Sequence, residues 1–300
     1  MAHPVLGSPS WTPASPCTPG CLPPSGGPRC GRLRVAARMT GLVVVLLATV
    51  VGAPLLPTGA RDRWVRRCSR AALRAAGVRL RITGDDRYRD GGGALVVANH
   101  TSWIDVLALD AVQPVRMLAK REVRDWPVIG GLAARTGALF VDRAGLHALP
   151  ATVAATADAL RAGGVVGVFP EGTTWCGEAA GSFSRAAFQA AIDAAADAVV
   201  VVRPVAIGFR LADGTPARGA AFVGEQTLLD SLLRVLRLPG MVCDVRVLPA
   251  IDPTGPDRRE LAARAAAAVG SVTGVAHLTE RQVPVPARTP AAAQHLSVAA

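Results

Sequence analysis

From residue 78 onward, short apolar runs alternate with stretches in which apolar residues recur every three to four positions. The runs Val78–Ile82, Ala94–Ala98, Val115–Ala119, Ala138–Val141, Val165–Phe169, Val199–Ile207 and Val242–Leu248 read as strands. Between and after them, residues 102–112, 127–136, 147–162, 183–197, 226–237 and 257–269 read as helices. This alternation predicts an α/β domain over residues 78–272, with a mixed or largely parallel sheet flanked by helices. The leucine stripe from Leu228 to Leu238 reads as core packing of one of those helices, with a position near the membrane interface as the alternative.

Upstream the texture is different. Met39 to Ala60 is a run of 22 residues without a charge, and as a helix at about 1.5 Å per residue it matches a hydrocarbon core of about 30 Å. Pro54 interrupts it, so a full span, a tilted half-span and a re-entrant hairpin all stay open. Arg61, Arg63, Arg66, Arg67, Arg70 and Arg74 follow among Ala, Leu, Val and Trp, the pattern of an interfacial helix that meets anionic head groups on the cytoplasmic side. Residues 39–77 are therefore expected to form an N-terminal membrane-associated helical segment. Residues 1–38 hold 13 Pro or Gly and are expected to lack fixed structure, with Met39 as an alternative start. No A-x-A site follows the apolar run, so a cleaved secretory signal is not indicated. Residues 273–300, rich in Pro, Ala and Gln toward the end, are expected to be a flexible tail.

Charge sharpens this picture. The net charge is +11, and residues 1–90 alone carry 14 arginines against four acidic residues. The basic character thus belongs to the N-terminal third. With a single tyrosine in the chain there is little to stack on bases, and nucleic acid is not expected as a partner. All but one of the 33 basic residues are Arg, Lys120 being the exception, so arginine abundance by itself says nothing about phosphate. The six cysteines, at 17, 21, 30, 68, 176 and 243, form no C-x-x-C pair, and no His stands at zinc-finger spacing. Reduced thiols are expected, with no metal site and no disulfide framework.

Two strand ends carry candidate chemistry. Asn99, His100 and Asp105 stand where the second strand gives way to a helix, at the sheet edge where α/β proteins usually bind ligands. Five helical residues would set His100 and Asp105 about 140° apart, so they meet only if His100 lies in the loop and Asp105 in the first turn. Ser102 with Asp105 has the spacing of a capping box, which allows exactly that placement but also lets Asp105 serve merely as a cap. A carboxylate on one ring nitrogen of His100 would leave the other free to take a proton from a hydroxyl. The second strand end is Phe169-Pro170-Glu171-Gly172-Thr173, a turn that can present N–H groups, a hydroxyl and a carboxylate to one ligand. No G-x-S-x-G elbow is present to support a serine hydrolase. Gly91 to Gly93 precede their strand, where a dinucleotide loop would follow it.

As an ordered set these segments resemble the glycerolipid acyltransferase family over roughly residues 78–270. His100 and Asp105 match its H-x-x-x-x-D block and Glu171, Gly172 and Thr173 its E-G-T block. Lys120, Pro127 and Gly130 match the region between, Gly137 to Arg143 the second motif, and Arg203 to Ile207 the fourth. The resemblance implies direct acyl transfer from acyl-CoA or acyl carrier protein to the free hydroxyl of a lysolipid. It requires no cofactor, no metal and no covalent acyl-enzyme. His100 would be the base and Asp105 its orienter, Arg143 would hold the acceptor phosphate, and Glu171, Gly172 and Thr173 would order the acceptor, with Lys120 and Arg185 as further contacts. The first acceptor implied is 1-acylglycerol-3-phosphate. Two departures weaken that choice: Thr174 stands where phosphate-acceptor members often have Arg, as in relatives that acylate lyso-ornithine lipids, and Ala186 follows Arg185 where the family usually has Gly. A non-catalytic membrane lipid-binding protein is the alternative of another class. The expected location is the cell membrane, with the catalytic domain on the cytoplasmic side.

Overall fold

The structure is a computed structural model that describes residues 15–23, 29–89, 91–125, 129–141, 148–224 and 226–277. Its eight helices are α1 (Arg32–Gly52), α2 (Thr58–Ala75), α3 (Ile104–Val112), α4 (Ile129–Arg135), α5 (Leu149–Arg161), α6 (Ala186–Ala195), α7 (Leu228–Arg237) and α8 (Arg258–Thr273). Its strands are β1 (Val78–Gly84), β2 (Gly93–Ala98), β3 (Arg116–Lys120), β4 (Leu139–Val141), β5 (Val165–Val168), β6 (Val200–Leu211) and β7 (Met241–Val247). They form one sheet in the order β1-β7-β6-β2-β5-β3-β4. All neighbours pair in parallel except β6 and β7, which run antiparallel. The predicted mixed, largely parallel sheet with flanking helices is the observed one.

Period-two alternation sorts the strand side chains between two cores. Ala94, Val96 and Ala98 of β2, with Val205 and Ile207 of β6 and Val245 and Val247 of β7, pack against Leu73 of α2, Ile104 and Leu109 of α3 and Val235 and Leu236 of α7. On the opposite face Leu95, Val97, Val166, Val168 and Val202 meet Leu160 of α5, Phe188 of α6 and Leu261 and Ala265 of α8. Strand β2 is buried along its whole length, which is why its sequence is an unbroken apolar run and not an alternating one. α7 starts on a complete capping box between Thr227 and Asp230 and turns Val235 and Leu236 into the core, as its leucine stripe predicts.

The N-terminal expectation needs correcting in two respects. The helix begins at Arg32, seven residues before Met39, and its first turns face protein: Val35, Met39 and Leu42 pack on the domain core. The Arg38 guanidinium donates to the carbonyls of Leu236 and Leu238 at 2.9 and 2.7 Å, capping the C-terminus of α7. Farther upstream, Cys17 is buried against Trp175, Cys176 and Val223, so part of residues 1–38 is folded. At the other end, the described residues continue the fold past residue 273 to His277, which bridges to Ala180.

α1 and α2 form a hairpin. Trp64 of α2 donates its indole N–H to the Ala48 carbonyl of α1 at 3.3 Å, and a Cβ on Gly52 would lie only 2.7 Å from that indole nitrogen. Only glycine permits this approach. The other face of α1 is bare, exposing Val43, Val44, Leu47 and Val51.

One buried charge ties β6 to the segments that follow β1 and β7. Arg203 of β6 donates to the Tyr88 carbonyl at 3.0 Å, the Leu248 carbonyl at 3.1 Å and the Asp85 carboxylate at 2.5 Å. Tyr88 is itself buried, with its hydroxyl donating to the Leu109 carbonyl at 2.9 Å. Arg203→Met removes these bonds and strands two carbonyls, and we expect it to lower the unfolding free energy by about 2–4 kcal/mol. Denaturant unfolding of the detergent-solubilised protein checks this; an unchanged midpoint would remove Arg203 from the fold's supports.

Candidate active site

The loop 99–102 between β2 and α3 is held from several directions. Asn99 is buried and makes a two-way amide bond with Ile207 of β6, donating to its carbonyl at 2.9 Å and accepting its N–H at 2.8 Å. The His100 N–H donates to Glu171 Oε2 at 2.7 Å, and the His100 carbonyl accepts the Trp175 N–H at 2.8 Å. The Thr101 carbonyl accepts the Phe222 N–H at 2.9 Å. The two strand-end segments that are 71 residues apart in sequence are therefore one site.

Asp105 lies in the first turn of α3, fully buried. Its Oδ2 lies 2.9 Å from His100 Nδ1 and accepts the N–H groups of Thr101 and Ser102 at 2.7 and 2.8 Å. The carboxylate thus caps the helix entrance and orients the histidine with one oxygen. Ser102 contributes to the cap by accepting the Ile104 N–H at 3.4 Å, although α3 itself starts after Trp103. Because Asp105 accepts, Nδ1 carries the proton and Nε2 is the basic nitrogen. The imidazole lies flat against Phe169, ring centroids 3.9 Å apart and 6° from parallel, so it is fixed in plane as well as in tautomer.

Glu171 sits at the end of β5 with its side chain turned inward. Burial pushes its carboxyl well above the usual carboxylate range; the His100 N–H opposes that, and the Asp105 charge adds to it. Behind it stands His277, whose Nδ1 donates to the Gly181 carbonyl at 2.8 Å and faces Glu171 Oε1 at 3.5 Å. Burial lowers the His277 pKa, which keeps that imidazole neutral. Gly172 has φ +74°, the left-handed conformation that turns the chain back after the strand. Thr174, the departure from the family pattern, donates its hydroxyl to the Phe222 carbonyl and thereby fastens the loop at 222.

His100 and Glu171 open onto a cavity of about 680 Å³. Its floor is the face of β1, β7 and β6 that carries Arg81, Asp244, Arg246 and Arg210, where the strands run on beyond the level of His100. Asp244 bridges Arg210 at 2.7 Å and Arg81 at 3.9 Å, and Arg218 pairs with Glu178. Arg246 has no carboxylate partner among the described residues. The sequence reading missed this arginine floor, His277 and Trp175. Lys120, at the exposed end of β3, and Arg185, at the start of α6, do not line this cavity, and neither do Gly172 and Thr173. Arg143 and Pro127 lie outside the described residues.

A mixed α/β sheet bearing a carboxylate-oriented histidine at a strand end defines the class, an α/β protein with its candidate site at the strand ends. The sequence profile of the family described as Acyltransferase matches residues 79–208. The lyso-ornithine lipid O-acyltransferase of Pseudomonas aeruginosa is 36% identical over 253 residues, covering 79% of this chain and 93% of that protein. The 1-acyl-sn-glycerol-3-phosphate acyltransferase of Neisseria gonorrhoeae is 34% identical over 182 residues, 59% of this chain and 69% of that one. The crystal structure of the 1-acyl-sn-glycerophosphate acyltransferase from Thermotoga maritima superposes with a TM-score of 0.62 at 17% identity, over 81% of this chain and 94% of that one, and so shares the fold. The chain belongs to the Acyltransferase family and is an acyltransferase.

The Glu171 carboxyl makes a prediction about pH. With its folded pKa above the ordinary value of about 4.5, the folded chain keeps a proton that the unfolded chain has released. Its contribution is therefore full below about pH 4.5 and is lost as pH rises toward the elevated value. Glu171→Gln retains the neutral form at every pH and should flatten this decline. Unfolding midpoints of both proteins at about pH 5 and about pH 8 decide the matter; parallel pH dependences would refute it.

Proposed function

We propose that the enzyme moves a fatty acyl group from acyl-CoA or acyl carrier protein to the free hydroxyl of a lysolipid at the membrane surface. The observation that carries this is the 2.9 Å pair of His100 Nδ1 with the buried Asp105 carboxylate, which leaves Nε2 as a base beside a cavity with an arginine floor. In this reading the acceptor hydroxyl gives its proton to Nε2 as its oxygen forms a bond to the thioester carbonyl carbon. The tetrahedral oxyanion then collapses, the C–S bond breaks, and the imidazolium returns the proton to the departing thiolate. The thioester is a co-substrate, so no cofactor enters the step. Glu171 acts as a positioning residue, since its carboxyl holds the His100 backbone. Arg143, Lys120 and Arg185 are assigned to anionic parts of the substrates, and Gly172 and Thr173 to ordering the acceptor, on the strength of the motif resemblance. The intact His–Asp pair counts against the non-catalytic alternative.

Thr174 favours a lyso-ornithine acceptor over 1-acylglycerol-3-phosphate. Its hydroxyl is committed to Phe222, so the position where phosphate-acceptor members often supply an arginine supplies no charge. Relatives named as lyso-ornithine lipid O-acyltransferases from Pseudomonas aeruginosa and Rhodobacter capsulatus also match over 79% and 81% of this chain.

Residues Arg32–Leu55 are long and apolar enough to cross a membrane. The fixed packing of residues 35–42 on the domain supports partial entry instead: residues 43–55 as a helix reach about 20 Å, against about 30 Å of hydrocarbon. The α/β domain would then lie on the cytoplasmic face of the cell membrane.

Membranes containing the protein, given labelled acyl-CoA with either lysolipid, test the reaction by lipid mass spectrometry. His100→Ala should cut kcat by about 10²–10⁴, and Asp105→Asn should cut kcat within the same range with KM little changed. Equal labelling by wild type and His100→Ala would dismiss the reading. Arg246→Ala is expected to raise the KM of one substrate about three- to tenfold. Initial-rate kinetics will show whether that substrate is the thioester or the acceptor; constant KM for both would remove the arginine floor from binding.

A further inference from the structure

Behind the active-site loop lies a cluster that the acyl-transfer chemistry does not use. Cys17, Cys21 and Cys176 bring their three sulfur atoms within 4.8 Å of one another. All three are free thiols, Cys17 and Cys176 buried and Cys21 partly so. One backbone donor points inward at sulfur: the Cys176 N–H donates to Cys17 Sγ at 3.3 Å. Three sulfurs drawn this close, two of them buried, offer soft ligand atoms to a single ion.

We propose that Cys17, Cys21 and Cys176 form a binding site for one Zn²⁺ ion, with water completing a tetrahedron. Zinc–sulfur bonds of about 2.3 Å put tetrahedral sulfurs roughly 3.8 Å apart, so the cluster closes on an ion with shifts of about 1 Å or less. Soft thiolates select zinc over the hard cations magnesium and calcium. A disulfide would take two of the sulfurs and leave the third unexplained, and on the cytoplasmic side thiols stay reduced. Binding releases the thiol protons as the ion is taken up.

The site has a mechanical consequence. It ties residues 17–22, ahead of the membrane helix, to the loop at 175–180. That loop donates the Trp175 N–H to the His100 carbonyl, and Cys176 lines the same cavity as His100. The apolar packing there is small, consisting of Trp175, Ala221 and Val223 with Leu22 and Ala179 at its margin. The metal would be the main clamp across a sequence separation of 159 residues.

Full-length protein purified in detergent without chelator, and the same protein after Zn²⁺ loading, is assayed for zinc by inductively coupled plasma mass spectrometry. The zinc-free form is then titrated with Co²⁺. We expect one zinc per chain and a sulfur-to-cobalt charge-transfer band that saturates at one equivalent. Cys17→Ser and Cys176→Ser should each lose bound zinc by about tenfold or more, while Cys30→Ser, whose thiol donates to the Leu238 carbonyl elsewhere, keeps it. Zinc below about a tenth of an equivalent in the loaded wild type overturns the proposal. So does a disulfide among these three cysteines in freshly lysed cells, mapped by non-reducing peptide mass spectrometry. If the serine variants fail to fold, the wild-type cobalt titration decides alone, and absence of the band overturns the assignment.

Discussion

A carboxylate with no exposure to water costs several kcal/mol unless its surroundings replace the lost hydration. At Asp105 the replacement is local and complete around one oxygen: the ring N–H of His100 and two backbone N–H groups, at the positive end of α3. Folding and chemistry therefore place the same demand on this residue. The cap holds only if residues 100–102 curl over the helix end, and that curl is what brings His100 Nδ1 to the carboxylate. Reading Asp105 as a cap or as the partner of His100 poses a false choice, since one oxygen does both. With the His100 N–H, carbonyl and Nδ1 all engaged, Nε2 is the nitrogen that remains basic, and Phe169 fixes the plane in which it points.

The reversal of direction between β6 and β7 is what gives this histidine a cavity. Were β7 parallel to β6, the chain would have to cross back to the other end of the sheet between them. Instead β6 continues to Leu211, past the end of β2, and pairs there with β7. The extra length presents Arg210, Asp244, Arg246 and Arg81 in a polar strip beside the strand end. The opposite face of the same strands carries Ile207, Phe209, Cys243 and Val245 into the core, so alternation delivers an anchored sheet and a charged floor from one set of residues.

The strands were legible because each is a short apolar run bounded by polar or glycine residues, and each was found within a few positions except where β6 runs beyond Ile207. The limits of α1 were not: Arg32, Arg34 and Arg38 look like an edge of the apolar segment until Arg38 is seen to cap α7, a contact about 200 residues away in sequence. The His–Asp and Glu–Gly–Thr motifs stood out because local backbone geometry forces their spacing. His277 and Arg246 gave no such sign, since what defines them is the sheet register and a chain reversal far downstream. The cysteines at 17 and 21 have no second local ligand pair beside them, and the third sulfur arrives from residue 176. No local pattern encodes a site whose parts meet only after the sheet has formed.

That dependence on tertiary assembly bears on how the enzyme meets lipid. Val43, Val44, Leu47 and Val51 are exposed on α1, and each such side chain forgoes about 1.5–3 kcal/mol while it faces water. The first two turns of the same helix are fixed to α7 and the core, and α2 packs back along α1 through Trp64 and Gly52. The apolar face therefore cannot swing independently of the α/β domain. A bilayer that takes up residues 43–55 also sets the orientation of the sheet and of the cavity beside His100. Lysolipid and acylated product both have chains that favour the bilayer, so an anchor rigidly coupled to the catalytic domain shortens the path of the acceptor's head group to Nε2. A flexible tether of equal affinity would hold the enzyme at the membrane without aiming it.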